Sequence, residues 1–432
     1  MSDLQKEITA LQAEISALKD SDTPSMKAAA YVEPVAAPSP APADDKISLA
    51  SLLGPVTLSG FGDVYYGYNY NHPADNQSGF RFFDGPTNGF GFNMAELILD
   101  KAPDTTSTEG RLGYHVAAGY GEAAKVINGS DAPDFADGSN FYLKEAYVDY
   151  VFPFGKGLTV TVGKFVTPIG AEVIETNANW NYSRSLLFYY AIPYFHFGAN
   201  AKYAFNSKWS LTGYLVNGWN NTVIDKVDTE GQSSGLTYGL SLAWTPNAKW
   251  AITENYFAGP VVDGFAETTP QIITDWKQLS DTVISYTPNA KWAFMINGDY
   301  GFGPRFTDCD DDEAVVRQAL PPDCDASGAT SWWGVAGYAK YTWTPKTNFA
   351  LRYEFYNDTN GYSGLLFGDP GHAQEVSADW SYNLTSALLI RGEYRYDFAS
   401  QPVFLNGTDR FVKEQNTATL GFIYSFSSAN AK

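Results

Sequence analysis

The sequence of 432 residues holds no uninterrupted apolar run of the about 18–20 residues that a membrane-crossing helix needs, which excludes a helical membrane protein. Positive charge is short as well: 28 Lys and Arg stand against 48 Asp and Glu, a formal net charge of −20. Binding to phosphate backbones needs clustered basic side chains, so nucleic acid is not the partner expected here. Cysteine is scarce. The two present, Cys309 and Cys324, flank a single acidic, Pro-containing segment, which suits one disulfide in an oxidising compartment; two unpaired thiols are the alternative. Met1 is followed by neither a basic n-region nor an apolar h-region. An exported protein needs such a leader, so we expect it to have been removed or to begin upstream. Four histidines occur, His72, His115, His196 and His372, without a nucleophile motif, metal-ligand spacing or Gly-rich phosphate loop beside them. Neither a catalytic site nor a metal or cofactor is expected.

Aromatic residues are plentiful at 16%, led by 29 Tyr and 28 Phe, beside 39 Gly and 23 Pro. That mixture favours strands and turns over helices. The mean hydropathy of −0.25 is that of a soluble protein. A membrane-spanning barrel shares that value, because it alternates apolar with polar residues and never needs a continuous apolar run.

The chain reads as three parts. Residues 1–20 carry Leu4, Ile8, Leu11, Ile15 and Leu18 at spacings of four and three, a short coiled-coil pattern with Ile at a and Leu at d; a solvated helical stub is the alternative. So few heptads are stable only by association, and the a/d choice leans to a dimer. Residues 21–50 form a Pro/Ala-rich linker expected to be disordered and extended. Residues 51–428 alternate. Ala418, Leu420, Phe422, Tyr424 and Phe426 share one face of the last segment, and Thr417, Thr419, Gly421, Ile423 and Ser425 the other. The same period of two runs through 236–244, 292–302 and 388–396.

Turns give the second signal. WTPNAKW (244–250), YTPNAKW (286–292) and WTPKTNF (343–349) are near-copies of one tight turn flanked by aromatics. FNSKWSL (205–211), YNLTSAL (382–388), FPFGKGL (152–158) and a short connection at 101–110 complete the short set. Between them lie long polar stretches at 71–89, 121–140, 167–193, 219–234, 259–272, 302–331, 357–373 and 398–413. Short turns alternating with long loops are the asymmetry of outer-membrane barrels, and aromatics at strand ends suit the headgroup level. The expected fold is all-β: an antiparallel transmembrane barrel of about sixteen strands. An open edge would strand backbone groups in hydrocarbon, so the segment near 56–70 must pair with that near 414–426. A propeller would repeat at similar intervals without an outward apolar face on each strand.

Several segments resemble one family. LSGFGDVYYGYNYN in the first strand, GKFVTPIGAE (163–172), SRSLLFYYAIPYFHFGANAKY (183–203) and LVNGWNN (215–221) are similar, in that order, to the beta-barrel porin-2 family (outer-membrane-porin-L-like). The resemblance spans about 50–426. It implies a diffusion channel of the Gram-negative outer membrane, with a trimer favoured over the dimer of the heptads. The final strand resembles the aromatic signal read by the barrel-insertion machinery, but here Phe426 is followed by SSANAK.

If the apolar parity faces lipid, the other lines a lumen. It supplies Arg111, His115, His196, Lys202, Lys340, Arg352, Arg391 and Arg395 as cations. The acids are more numerous: Asp63, Glu96, Glu145, Asp149, Asp281, Asp299, Glu354, Glu375, Asp379, Glu393 and Asp397. Their summed field would give a mild cation preference; alternatively they only pair across strands, as Arg352 with Glu354 and Arg391 with Glu393 and Arg395. The loop 167–193 is the candidate constriction, with Glu172, Glu175 and Arg184 among Trp180, Tyr182, Phe188, Tyr189 and Tyr190. Its alternative place is outside, in the upper aromatic girdle. The acidic loop 302–331 could offer oxygen ligands to Ca²⁺ but lacks EF-hand spacing, and a solvated loop pinned by a disulfide is preferred.

The function expected is passive passage of small hydrophilic solutes or ions by a homo-oligomer held in outer-membrane lipid, its N-terminal segment in the periplasm. A barrel that anchors or sheathes a partner without conducting, or a barrel lipid hydrolase, are the alternatives.

Overall fold

The computed structural model describes residues 55–128, 140–224, 235–262, 274–308 and 325–430. The heptad segment, the linker, Cys309 and Cys324 lie outside the described residues. The strands run β1 (Thr57–Asn69), β2 (Gly89–Lys101), β3 (Leu112–Tyr120), β4 (Phe141–Phe152), β5 (Leu158–Val166), β6 (Phe195–Ala204), β7 (Trp209–Val216), β8 (Thr237–Asn247) and β9 (Trp250–Val262). They continue with β10 (Thr274–Tyr286), β11 (Trp292–Asp308), β12 (Asp325–Thr344), β13 (Thr347–Asp358), β14 (Gly371–Asn383), β15 (Leu388–Ala399), β16 (Phe404–Asn406), β17 (Arg410–Val412) and β18 (Glu414–Ser427). All but β16 and β17 join, each beside its chain neighbours, in one closed antiparallel barrel of sixteen strands. The wall is sealed by β1 on β18, from Ser59 opposite Ser427 to Asn69 opposite Thr417.

Alternation decides which side is which. Leu97, Val162, Leu240, Ile296 and Leu351 point outward, each about half exposed. In water each such side chain would forfeit about 1.5–3 kcal/mol of burial, so the band belongs against acyl chains. Among the described residues no helix is long and apolar enough to cross a membrane; the strands do so. Aromatic pairs mark the short-turn rim: Trp250 stacks on Tyr286 with ring centres 4.2 Å apart, Trp209 on Trp244 at 5.1 Å, and Trp292 meets Tyr341 at 4.7 Å.

Two long stretches hold more strand than the pattern suggests. β11 runs on to Asp308 and β12 starts at Asp325, inside the expected loop 302–331, and 398–413 contains the β16–β17 hairpin. Above the hydrocarbon layer, pairing no longer requires apolar outward residues, so these extensions carry no alternation to read.

Candidate functional site: the lumen and its inserted loops

The β5–β6 loop (167–194) lies inside the barrel and is bound by side chains from strands all round the wall. At its start the Gly170 amide donates to Asp281 on β10 at 3.1 Å, and the Ala171 amide to Asn297 on β11 at 3.1 Å. Next, Thr176 and Tyr182 donate to the two oxygens of Asp63 on β1, at 2.6 and 2.9 Å. The Tyr182 and Ser183 amides share Glu393 Oε2 at 3.0 Å, and Asp379 accepts from the Tyr182 amide at 2.9 Å and from Asn181 at 2.6 Å. Finally the Leu186 amide donates to Glu354 at 2.5 Å. The acids of this face thus receive the backbone donors of an irregular loop, which would otherwise be buried without partners.

The guanidinium groups take the complementary part. Arg352 donates to Glu172 at 2.6 Å and to the Ser183 carbonyl at 2.7 Å, and pairs with Glu375 through Nε. Arg391 holds the Thr176 and Asn181 carbonyls at 2.9 and 3.1 Å; Arg395 holds that of Arg184 at 2.6 Å and Asp397 through Nε at 2.7 Å. The rigid planar fork of each guanidinium serves a carbonyl and a carboxylate at once in fixed directions, where a Lys ammonium acts as a compact point charge. The expected pairing of Arg352 with Glu354 and of Arg391 with Glu393 does not form: Glu354 and Glu393 take loop amides instead, and among the described residues the ion pairs within this stretch of wall are Arg352–Glu375, Arg395–Glu375 and Arg395–Asp397. Burial pushes the Tyr182 phenol well above its usual pKa, so it stays a donor to Asp63.

Of the constriction candidates, Glu172, Tyr182 and Arg184 are buried in this network. Arg184 donates to the Tyr182 carbonyl at 3.1 Å and to that of Ile174, and lies 4.6 Å from the centre of the Phe83 ring. Glu175 receives Lys144 of β4, which also donates to Glu96 at 2.6 Å. Trp180, with Lys340 Nζ 4.9 Å from its ring centre, borders a cavity of about 50 Å³ beside Glu172, Met295 and Tyr338. The loop does not lie in the outer girdle. One turn of π-helix at Leu187–Ala191 buries Leu187, Phe188, Tyr189 and Ala191.

Other candidates sit apart. Asp149 accepts from Thr161 at 2.6 Å; Glu145 faces His115 at 3.4 Å; Lys202 is half-buried on the inward face of β6. Arg111 is placed at the short-turn rim, donating to the Val151 carbonyl at 3.0 Å.

Sequence reasoning missed two groups. Lys144 escaped because a bulge sets Ala117 opposite Glu145 and Ala118 opposite Leu143, which leaves Lys144 unopposed and breaks the parity of β4. The β1–β2 loop (70–88) escaped because nothing in a polar loop says that it folds inward. It does: Phe83 is fully buried, Arg81 lies 3.9 Å from Glu393 and donates to Thr417 at 2.6 Å, and Asp84 accepts from Tyr189 at 3.1 Å. Phe83 packs on Phe188, Tyr189 and Tyr194 with ring centres about 6 Å apart, joining the two loops.

A sequence model described as "Putative beta-barrel porin-2, OmpL-like" matches residues 55–426, the whole barrel wall. The chain belongs to this family. It is a porin-family channel of the outer membrane. No curated protein matches it. Among solved structures it is similar to the anion-selective porin of Comamonas acidovorans, at 13% identity and a TM-score of 0.55 over 86% of this chain and 99% of that one. It is also similar to the outer membrane channel DcaP of Acinetobacter baumannii, at 12% identity and a TM-score of 0.54 over 86% of this chain and 97% of that one. At such identities the likeness carries the barrel architecture alone.

Proposed function

We propose that this porin is a passive diffusion channel for small hydrophilic solutes, narrowed by the β5–β6 loop and mildly cation-preferring. The observation that carries the reading is the attachment of one inserted loop to β1, β4, β10, β11, β13, β14 and β15, which sets a fixed eyelet rather than a swinging flap. Glu172, Trp180, Tyr182 and Arg184, all buried, brace that eyelet from within the loop, and the partly exposed Glu175 adds its charge beside the passage. The inward charges of the wall (Asp63, Glu96, Glu145, Asp149, Lys202, Asp281, Asp299, Lys340, Arg352, Glu354, Glu375, Asp379, Arg391, Glu393, Arg395 and Asp397, with Arg111 at the short-turn rim) supply its field, in which acids outnumber bases. Copies assemble in the membrane, as a trimer rather than a dimer, with the N-terminal segment in the periplasm.

A second reading is a barrel that sheathes or anchors a partner without conducting. The packing of the β1–β2 loop onto the β5–β6 loop through Phe83 favours it. A lipid hydrolase has less support: among the described residues the histidine rings pair with Asp100, Glu145, Thr167, the Gly218 carbonyl and Tyr68, not with a serine.

Planar-bilayer recording of the purified full chain separates these. A channel gives discrete conductance steps, and in a salt gradient a reversal potential of the sign that favours cations. Silent bilayers from folded protein would sink the channel reading, and an anion-favouring potential would sink the preference.

A further inference from the structure

One sector of the outer wall differs from the rest of the apolar band. Ala199 and Ala201 on β6 and Gly213 on β7 keep its floor low between Leu240, Tyr256 and Trp276, leaving an outward trough of about 600 Å³. A Cβ built on Gly213 meets nothing within 4 Å, so the trough is open at its centre.

Beside it, Glu254 is exposed on the outward face of β9, opposite Thr282 of β10. Its two oxygens accept from the hydroxyls of Ser280 at 2.8 Å and Thr282 at 2.5 Å, while the Tyr256 hydroxyl donates to Gln278 at 2.6 Å. Glu254 stands four residues beyond Trp250 of the girdle, which on a strand tilted ~45° is about 9 Å into a hydrocarbon layer of about 25 Å. Among the described residues, the other Asp, Glu, Lys and Arg of the strands face the lumen, sit at the rims or are buried. The strands under the trough are short, with 10, 8 and 11 residues in β6, β7 and β8, a feature shared with β3 and β5 at 9 each, against 13 in β9 and β10. A tilted strand needs about 9–11 residues to cross, and β7 falls short.

Acyl chains offer no hydrogen bonds and make a facing carboxylate costly. A protein surface at the same depth meets both demands. It must carry hydroxyl or amide donors at this height on an outward face, and a second copy carries them: Gln278, Ser280 and Thr282 on β10, and Tyr353 and Gln374 on β13 and β14. We infer that this sector, β6 to β10, is where copies of this porin meet. A side-chain ridge of one copy fills the trough of the next, and Glu254 with its hydroxyl row is withdrawn from lipid. The inference deepens the oligomer proposed above and rests on it.

The test places a photo-cross-linking amino acid at position 240 of the full chain in outer membranes, and at position 420 on β18, across the barrel, as the contrast. Adducts of two chains from 240 and none from 420 are expected. Gly213→Trp, which has room within its own copy, should reduce the detergent-solubilised particle from several chain masses to one while each barrel still conducts. Lipid or foreign-protein adducts alone from 240, or an unaltered particle mass for Gly213→Trp, would overturn the inference. Conductance fails or succeeds independently of these readouts, so the channel reading and the interface can be rejected separately.

Discussion

At the residue scale, the lumen shows how buried charge can hold an irregular loop. Arg352 is fully buried between Glu172, Glu375 and the Ser183 carbonyl. Replacing it with alanine leaves carboxylates without their cation, a loss of about 3–5 kcal/mol for a broken buried pair. We expect Arg352→Ala to release this side of the loop, giving noisy and enlarged conductance steps and a lower temperature of unfolding in detergent gels. Gly421 makes the opposite test. A Cβ there would stand 2.3 Å from the Tyr182 ring, so Gly421→Leu should push Tyr182 off Asp63 at an overpacking cost of about 1–3 kcal/mol. A step size equal to that of the parent in both variants would show that the loop's attachment does not set the passage. Parity alone put Arg352, Glu354, Asp379, Arg391, Glu393 and Arg395 on the inward face. Their partners were not legible, since Ser183 and Asn181 lie far from them in sequence and approach only when the loop turns inward.

At the scale of elements, the short turns were the most readable part of the chain. Tight aromatic-flanked turns such as WTPNAKW announce both a reversal and a membrane level, and Trp250 on Tyr286 is the result. Trp250→Ala should cost about 1 kcal/mol, the worth of one aromatic pair, and lower the unfolding temperature without altering conductance. Long loops were legible in position but not in direction. The β5–β6 loop had two possible places, and only the donors it presents to Asp63, Asp281 and Glu354 choose between them. Exchanging residues 173–189 for a short Gly/Ser linker should therefore do two things together: raise conductance several-fold and destabilise the barrel, because inward carboxylates lose their donors. Larger steps from a barrel of parental stability would mean that the wall charges are satisfied by water instead. The bulge at Lys144 marks the limit of pattern reading, since one inserted residue reverses every later assignment on its strand.

At the scale of the whole molecule, closure followed from a physical prohibition rather than from any motif, and the strand number from the alternation of short turns with long loops. Hydrocarbon tolerates no unpaired sheet edge, so alternating segments with both outer ones apolar on one side had to meet. The seal between β1 and β18 joins the two extremes of the described wall, and at the turn rim the Leu58 amide donates to the Ser428 hydroxyl at 2.9 Å. Such a seam has an assembly consequence. Until Ser427 has been delivered, β1 is a naked template inviting any passing extended peptide, so whatever chaperones the barrel must guard that lip longest. A permuted gene, with Ser428 tethered to Thr57 through a flexible peptide and reopened at Lys249, would move that vulnerable lip to β8 and β9 while preserving the finished cylinder.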